Sequence, residues 1–160
     1  MKNLKYDLYR NETTTIFEFK SIGPNGEKTK VIVYTETQSE NIYNLAFGDL
    51  IYDKVEKKYF FDDSTITNNG DRNMILATVA ESVYVFTKKY PEKMVFFKGS
   101  TLARTRLYRR AITINLDEIS KTFLIFGVVK NKDGSLLNVP FKTNKDFFGF
   151  TLKRKELWKQ

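Results

Sequence analysis

The sequence predicts an α+β fold, an antiparallel-rich mixed sheet of about seven to nine strands with two main helices in the order β-β-β-β-α-β-α-β-β-β. Three observations lead there. Residues 15–35 and 43–62 alternate apolar and polar side chains in short runs rich in β-formers. Residues 72–90 repeat apolar side chains at helical spacing and end before Pro91. Residues 94–110 pass from an apolar run through a Gly-Ser-Thr corner into a helix bearing Arg104, Arg106, Arg109 and Arg110.

The elements follow in chain order. Residues 15–20 and 30–35 flank Gly23-Pro24-Asn25-Gly26, dense turn chemistry that makes them a β-hairpin. Residues 43–48 and 58–62 form a second pair joined by a charged loop, giving a four-stranded meander. Asp49, Asp53, Asp62 and Asp63 stand near its strand ends, but no ligand spacing joins them, so no metal site is assigned. A loop over 65–72 then delivers the chain into a helix with Asn69 or Asp71 as cap. Its stripe is Ile75, Val79, Val83 and Phe86, widened by Leu76 and Ala80. Residues 94–97 read as a central strand and 114–120 as a further short helical turn. Residues 123–129 are nearly continuously apolar, a central strand buried on both faces. Residues 136–139 follow a D-G turn. Residues 147–152 close the sheet, and the basic tail 153–159, with Trp158, suits either an edge strand guarded by lysines or a stacking surface, the edge being preferred.

Composition sets outer bounds. A chain of 160 residues with 15% aromatic content suits one domain, 1–160, with a core of its own. It contains no cysteine and no histidine, which removes disulfides, thiolate chemistry, the commonest general base and the usual zinc ligand. The first residues lack a signal-peptide core and no apolar run approaches a membrane span, so a cytoplasmic protein with no membrane partner is expected. The 27 basic residues against 19 acidic give +8, a charge that favours nucleic acid, another polyanion or an acidic protein partner. Solubility alone would call for the same charge.

Most of the candidate site lies at the Gly-Ser-Thr corner. Ser100 or Thr101 can cap the helix that begins there. A helical wheel puts Ala103, Leu107, Tyr108, Ala111 and Ile112 on one side and Arg106, Arg109 and Arg110 opposite, with Arg104 in the middle of the apolar side. A guanidinium so placed needs an anion. Either an internal acid such as Asp49, Asp62 or Asp63 supplies it, or a bound ligand does. The other arginines form a solvated face or a binding surface. Asn69, Gly70 and Arg72, at the start of the earlier helix, form a second corner that either accepts anions or is a left-handed turn.

The element order and these two corners resemble the GCN5-related N-acetyltransferase fold. That resemblance implies a turn at Asn69, Gly70, Asp71 and Arg72 holding the pyrophosphate of acyl-coenzyme A. It implies Tyr108 as the acid that protonates the departing thiolate, and coenzyme A as cofactor. The chain departs from the family where one Gly70 stands for a glycine pair, Thr101 for the usual asparagine, and Ile112-Thr113 for Gly-Phe. Residues 99–109, with 43–49 and 68–71, are also similar to a small bacterial family of unknown function bearing a G-S-T-x-A-R-T-R-L-Y-R signature, which carries no activity with it. Three functions are therefore in view: a phosphate-anion or nucleic-acid binding module, an acyl-coenzyme A dependent N-acyltransferase with Glu81 or Asp62 relaying the amine proton, and a protein-interaction component of a toxin–antitoxin or phage-defence system.

Overall fold

The computed structural model describes residues 4–62 and 69–156. Residues 63–68, Asp63 and Asn68 among them, lie outside the described residues, as do residues 157–160 with Trp158. The protein is α+β, with nine strands and three helices among the described residues and a mostly antiparallel mixed sheet. Strands are hydrogen-bonded in the order β1-β2-β3-β4-β6-β9-β7-β8, with β5 on β4. Their ranges are β1 Tyr9–Arg10, β2 Ile16–Gly23, β3 Gly26–Glu36, β4 Ile42–Asp53, β5 Lys58–Asp62, β6 Met94–Phe97, β7 Phe123–Lys130, β8 Leu136–Pro140 and β9 Gly149–Arg154. The helices are α1 Arg72–Lys89, α2 Leu102–Ile114 and α3 Leu116–Thr122. The chain divides into two compact units, the first made of residues 2–35 and 45–89 and the second of residues 36–44 and 90–160.

The first unit contains the expected hairpin. Strands β2 and β3 pair from Ile16↔Val33 to Gly23↔Gly26 across a two-residue Pro24-Asn25 turn, and Gly26 takes φ 91°, where a Cβ would be strained. Alternation turns Phe17, Phe19 and Ser21 inward, with Lys30, Ile32 and Tyr34 beside them. A lysine in that row needs a partner, and Lys30 finds it in the equally buried Asp49 of β4. Asp62 stands directly opposite Asp49 in the β4–β5 ladder, a like-charge pairing that the Lys30 ammonium offsets.

Helix α1 buries Val79, Val83 and Phe86 as its periodicity predicts, with Phe86 stacked on Tyr34 at 4.2 Å. Ile75, Leu76 and Ala80 are only half-buried, whereas Thr78, Ser82 and Thr87 are fully buried. Each of these hydroxyls donates to a carbonyl one turn back (Met74, Val79 and Val83, at 2.6–2.7 Å), so none is buried without a bond. Since Ser82 donates to Val79, the Tyr34 hydroxyl is the donor in their 2.7 Å bond, and burial pushes the Tyr34 phenol far above its ordinary pKa.

In the second unit the first residues of β4 pair in parallel with β6, from Ile42↔Met94 to Asn44↔Phe96. Strand β9 lies between β6 and β7, and β8 forms the edge. This corrects the expectation that the last strand closes the sheet and that its lysines guard an edge. Residues 149–152 are all buried, and a strand with so little exposed surface gains most by taking neighbours on both sides. Strand β7 does have two neighbours, yet Leu124 is 44% exposed, so one of its faces is partly open. The helical turn expected near 114–120 is α3, which follows α2 after Asn115. Both helices attach to one sheet face, where Ile112, Phe147 and Phe150 form the core with Tyr108 and Leu116 against them.

Candidate anion-binding site

The corner between β6 and α2 is built as the Gly-Ser-Thr motif suggests. Thr101 is the N-cap of α2, its Oγ1 accepting from the Arg104 N–H at 3.2 Å. Thr105 Oγ1 accepts from the Gly99 N–H at 3.0 Å and donates to the Thr101 carbonyl. Gly99 is obligatory here, because a Cβ would lie 2.5 Å from the Thr105 nitrogen and 2.6 Å from the Arg104 Cβ. No acidic residue stands in the first turn of α2, so nothing there opposes the positive end of its dipole.

The helix is rotated relative to the apolar wheel. Its buried residues are Thr105 and Ile112, with Tyr108 against the core, while Ala103 and Leu102 are exposed. The Thr105 bond to Gly99 and the packing of Ile112 fix this orientation, and a wheel drawn through apolar positions alone misses it. Arg104 is half-buried and donates from Nη1 to Ser100 Oγ at 2.5 Å. Arg109, which the wheel places opposite the apolar side, has a side chain only 17% exposed.

Arg106 and Arg109 converge on one carboxylate that the sequence did not single out, Asp146 in the loop between β8 and β9. Arg106 grips it with two bonds, Nε to Oδ1 at 3.0 Å and Nη2 to Oδ2 at 2.7 Å, and Arg109 Nη1 adds a third at 2.8 Å. Arg106 holds the Asp146 carboxyl below the ordinary aspartate range, through its hydrogen bonds first and then its charge, to which Arg109 adds. Arg109 Nε is buried and has no hydrogen-bond partner. Arg110 is exposed. Ser100, Thr101 and Arg104 thus meet at the first turn of α2, while Arg106 and Arg109 meet at Asp146, on another side of the helix. Nothing local marks Asp146, 37 and 40 residues from its partners.

Asn69, Gly70 and Arg72 belong to the first unit. Asn69 is buried and its amide is committed to the β2–β3 turn. Its Oδ1 accepts from Asn25 N–H at 2.8 Å, and its Nδ2 donates to the Gly26 carbonyl at 2.8 Å and to Ser21 Oγ. Gly70 has φ 73°, the left-handed turn geometry, and Arg72 is exposed at the start of α1. The Asp71 carboxylate accepts from Tyr6 and Ser21 hydroxyls at 2.6 and 2.5 Å, and its other oxygen is buried without a partner. Burial first and the Asp71 carboxylate second push the Tyr6 phenol up.

Tyr108 packs edge-on against Phe97 at 6.1 Å, and Glu81 is ion-paired with Lys5 at 2.9 Å. Among the described residues no three acidic side chains gather as metal ligands would, and no helix is long and apolar enough to cross a membrane. Residues 2–155 match the model of a family described as a family of unknown function, DUF6934. No curated protein and no solved structure matches the chain.

Proposed function

We propose that this chain, which belongs to that family of unknown function across residues 2–155, works as a phosphate-anion or nucleic-acid binding module. Arg104, Arg106, Arg109 and Arg110 receive phosphate oxygens beside Ser100 and Thr101. The observation that carries the reading is the fork on Asp146, where two guanidiniums already hold an oxyanion through three bonds and Arg109 keeps a spare Nε donor. Two oxygens of a tetrahedral phosphate accept the same planar guanidinium fork that a carboxylate does, so a phosphate competes with the exposed Asp146 for the same donors. The +8 net charge draws polyanions toward the protein.

Salt-titrated anisotropy with a labelled oligonucleotide tests this. Arg104→Gln with Arg110→Gln leaves the Asp146 fork intact and is expected to weaken binding and to lower the salt slope by about 0.7–0.9 for each lost phosphate contact. Affinity indifferent to salt, or unchanged in the double variant, would overturn the reading.

An acyl-coenzyme A dependent N-acyltransferase is the second reading. The order β1–β5, α1, β6, α2, α3 and then three strands favours it, with Tyr108 on α2 as acid and Asn69, Gly70 and Arg72 as the cofactor turn. The Asn69 side-chain amide is already spent on the hairpin, so a pyrophosphate there would be held by backbone N–H groups alone. Calorimetry with acetyl-coenzyme A decides, because absence of heat leaves the topology without that chemistry.

A further inference from the structure

The register of the second unit assigns each residue to a sheet face. Phe97, Ile125 and Val129 lie on the face that packs against α2 and α3. Their alternates fall on the other, which neither of those helices covers: Phe96 beside Thr151, Phe126 across from it, and Lys153 between Met94 and Leu124. Phe96 and Phe126 are partly exposed, and Leu124 is 44% exposed. Phe148, just ahead of β9, stacks on Phe96 at 6.4 Å and 21° and is partly exposed too.

Two exposed lysines converge on that ring. Lys98 Nζ stands 4.6 Å and Lys130 Nζ 5.3 Å from the Phe148 centroid. Among the described residues, no carboxylate lies within 4.0 Å of the ammonium groups of Lys98, Lys130 or Lys153. Positive charge is thus gathered over an aromatic surface with no carboxylate of the described residues in ion-pair contact with it.

We propose that this sheet face binds single-stranded nucleic acid, bases stacking on Phe148 and its aromatic neighbours while Lys98, Lys130 and Lys153 take the phosphates. Each half of the ligand matches one half of the surface. Every base has a flat π-face that stacks on an aromatic ring, and every linkage carries a charge for an ammonium. The flexible lysine stems let the ammonium groups leave the ring for a phosphate as a base arrives. A duplex keeps its bases stacked inside, and an acidic peptide would engage the lysines while leaving the rings unused. The surface stands apart from the α2 arginines and does not depend on them.

The full chain is titrated by anisotropy with labelled oligothymidylate and oligouridylate of about 12 nucleotides, with a duplex of equal length, and with polyglutamate. Either single strand is expected to bind more tightly than the duplex and polyglutamate. Lys98→Gln with Lys130→Gln lowers the salt slope by about 1.4, some 0.7 for each phosphate contact. Phe148→Ala weakens binding about fivefold or more at every salt concentration with the slope little changed, and Phe148→Trp retains it. Should Phe148→Ala fail to fold, Phe148→Trp and the lysine pair decide. Arg104→Gln with Arg110→Gln separates the two surfaces: this proposal holds if single-strand binding survives that change and falls with the lysines. It is overturned if the lysine pair binds as wild type, if loss of the arginines alone abolishes binding, or if the duplex or polyglutamate binds equally well. In those cases the lysine stems merely cover exposed rings.

Discussion

Replacing Asp146 by Asn is expected to strengthen anion binding, the opposite of what loss of an ion pair usually suggests. Asp146 accepts three hydrogen bonds from Arg106 and Arg109. The amide has nearly the same shape but only one oxygen and no charge, so it cannot hold both guanidiniums as a carboxylate does. The formal net charge rises by one from +8. If both arginines become available, two further phosphate contacts steepen the salt slope by about 1.4 for a single strand. At about 0.1 M salt, that corresponds to an upper limit of roughly 25-fold tighter binding. Anisotropy with one labelled oligonucleotide, across a salt series and alongside thermal melts, measures both quantities. The Asp146 side chain is 44% exposed but that of Arg109 beside it only 17%, so the melts should show a modest loss of stability while binding tightens. A variant that binds no tighter at any salt concentration would refute the reasoning and reduce the fork to a clasp for the β8–β9 loop.

Three further outcomes follow from the same geometry. Because Arg106 lowers the Asp146 pKa, the fork stays ionised above the ordinary value of about 3.9 and is lost only as pH falls through the lowered one. Carboxyl NMR should therefore show a midpoint below that value that climbs in Arg106→Gln, and a midpoint at or above it contradicts the fork. Gly99→Ala drives a Cβ to within 2.5–2.7 Å of backbone and Cβ atoms of α2, at a cost of about 1–3 kcal/mol that thermal melts would register. An unchanged midpoint means the corner is looser than described. Asp49→Asn leaves the buried Lys30 ammonium facing a neutral group and should cost about 3–5 kcal/mol in urea unfolding. A loss below about 1 kcal/mol would mean Lys30 reaches water or another acid.

What could be read from the sequence was local. The β2–β3 hairpin is written in adjacent residues, alternation on both sides of a Gly-Pro-Asn-Gly turn, and the structure has it in that register. The strand–corner–helix at 94–110 likewise follows from an apolar run, a glycine without room for a Cβ and a capping threonine. What could not be read depends on distant partners. The insertion of β9 between β6 and β7 is decided by which neighbours bury residues 149–152, and no turn signal encodes it. The buried hydroxyls of α1 escaped a periodicity that counts apolar residues, since Thr78, Ser82 and Thr87 satisfy themselves within the helix. The rotation of α2, which half-buries Arg104 and buries most of Arg109, depends on Thr105 reaching back to Gly99. Asp146 was invisible for the same reason, as one more acid in a polar loop.

Binding of phosphate at the α2 corner can be observed without an assumed biological ligand, by titrating isotopically labelled protein with inorganic pyrophosphate at low salt and following amide and arginine Nε resonances. Saturable shifts concentrated in residues 99–110, with the unpartnered Nε of Arg109 among those that move furthest, are the expected result. Shifts scattered evenly over the basic surface, or none at those arginines, would contradict it.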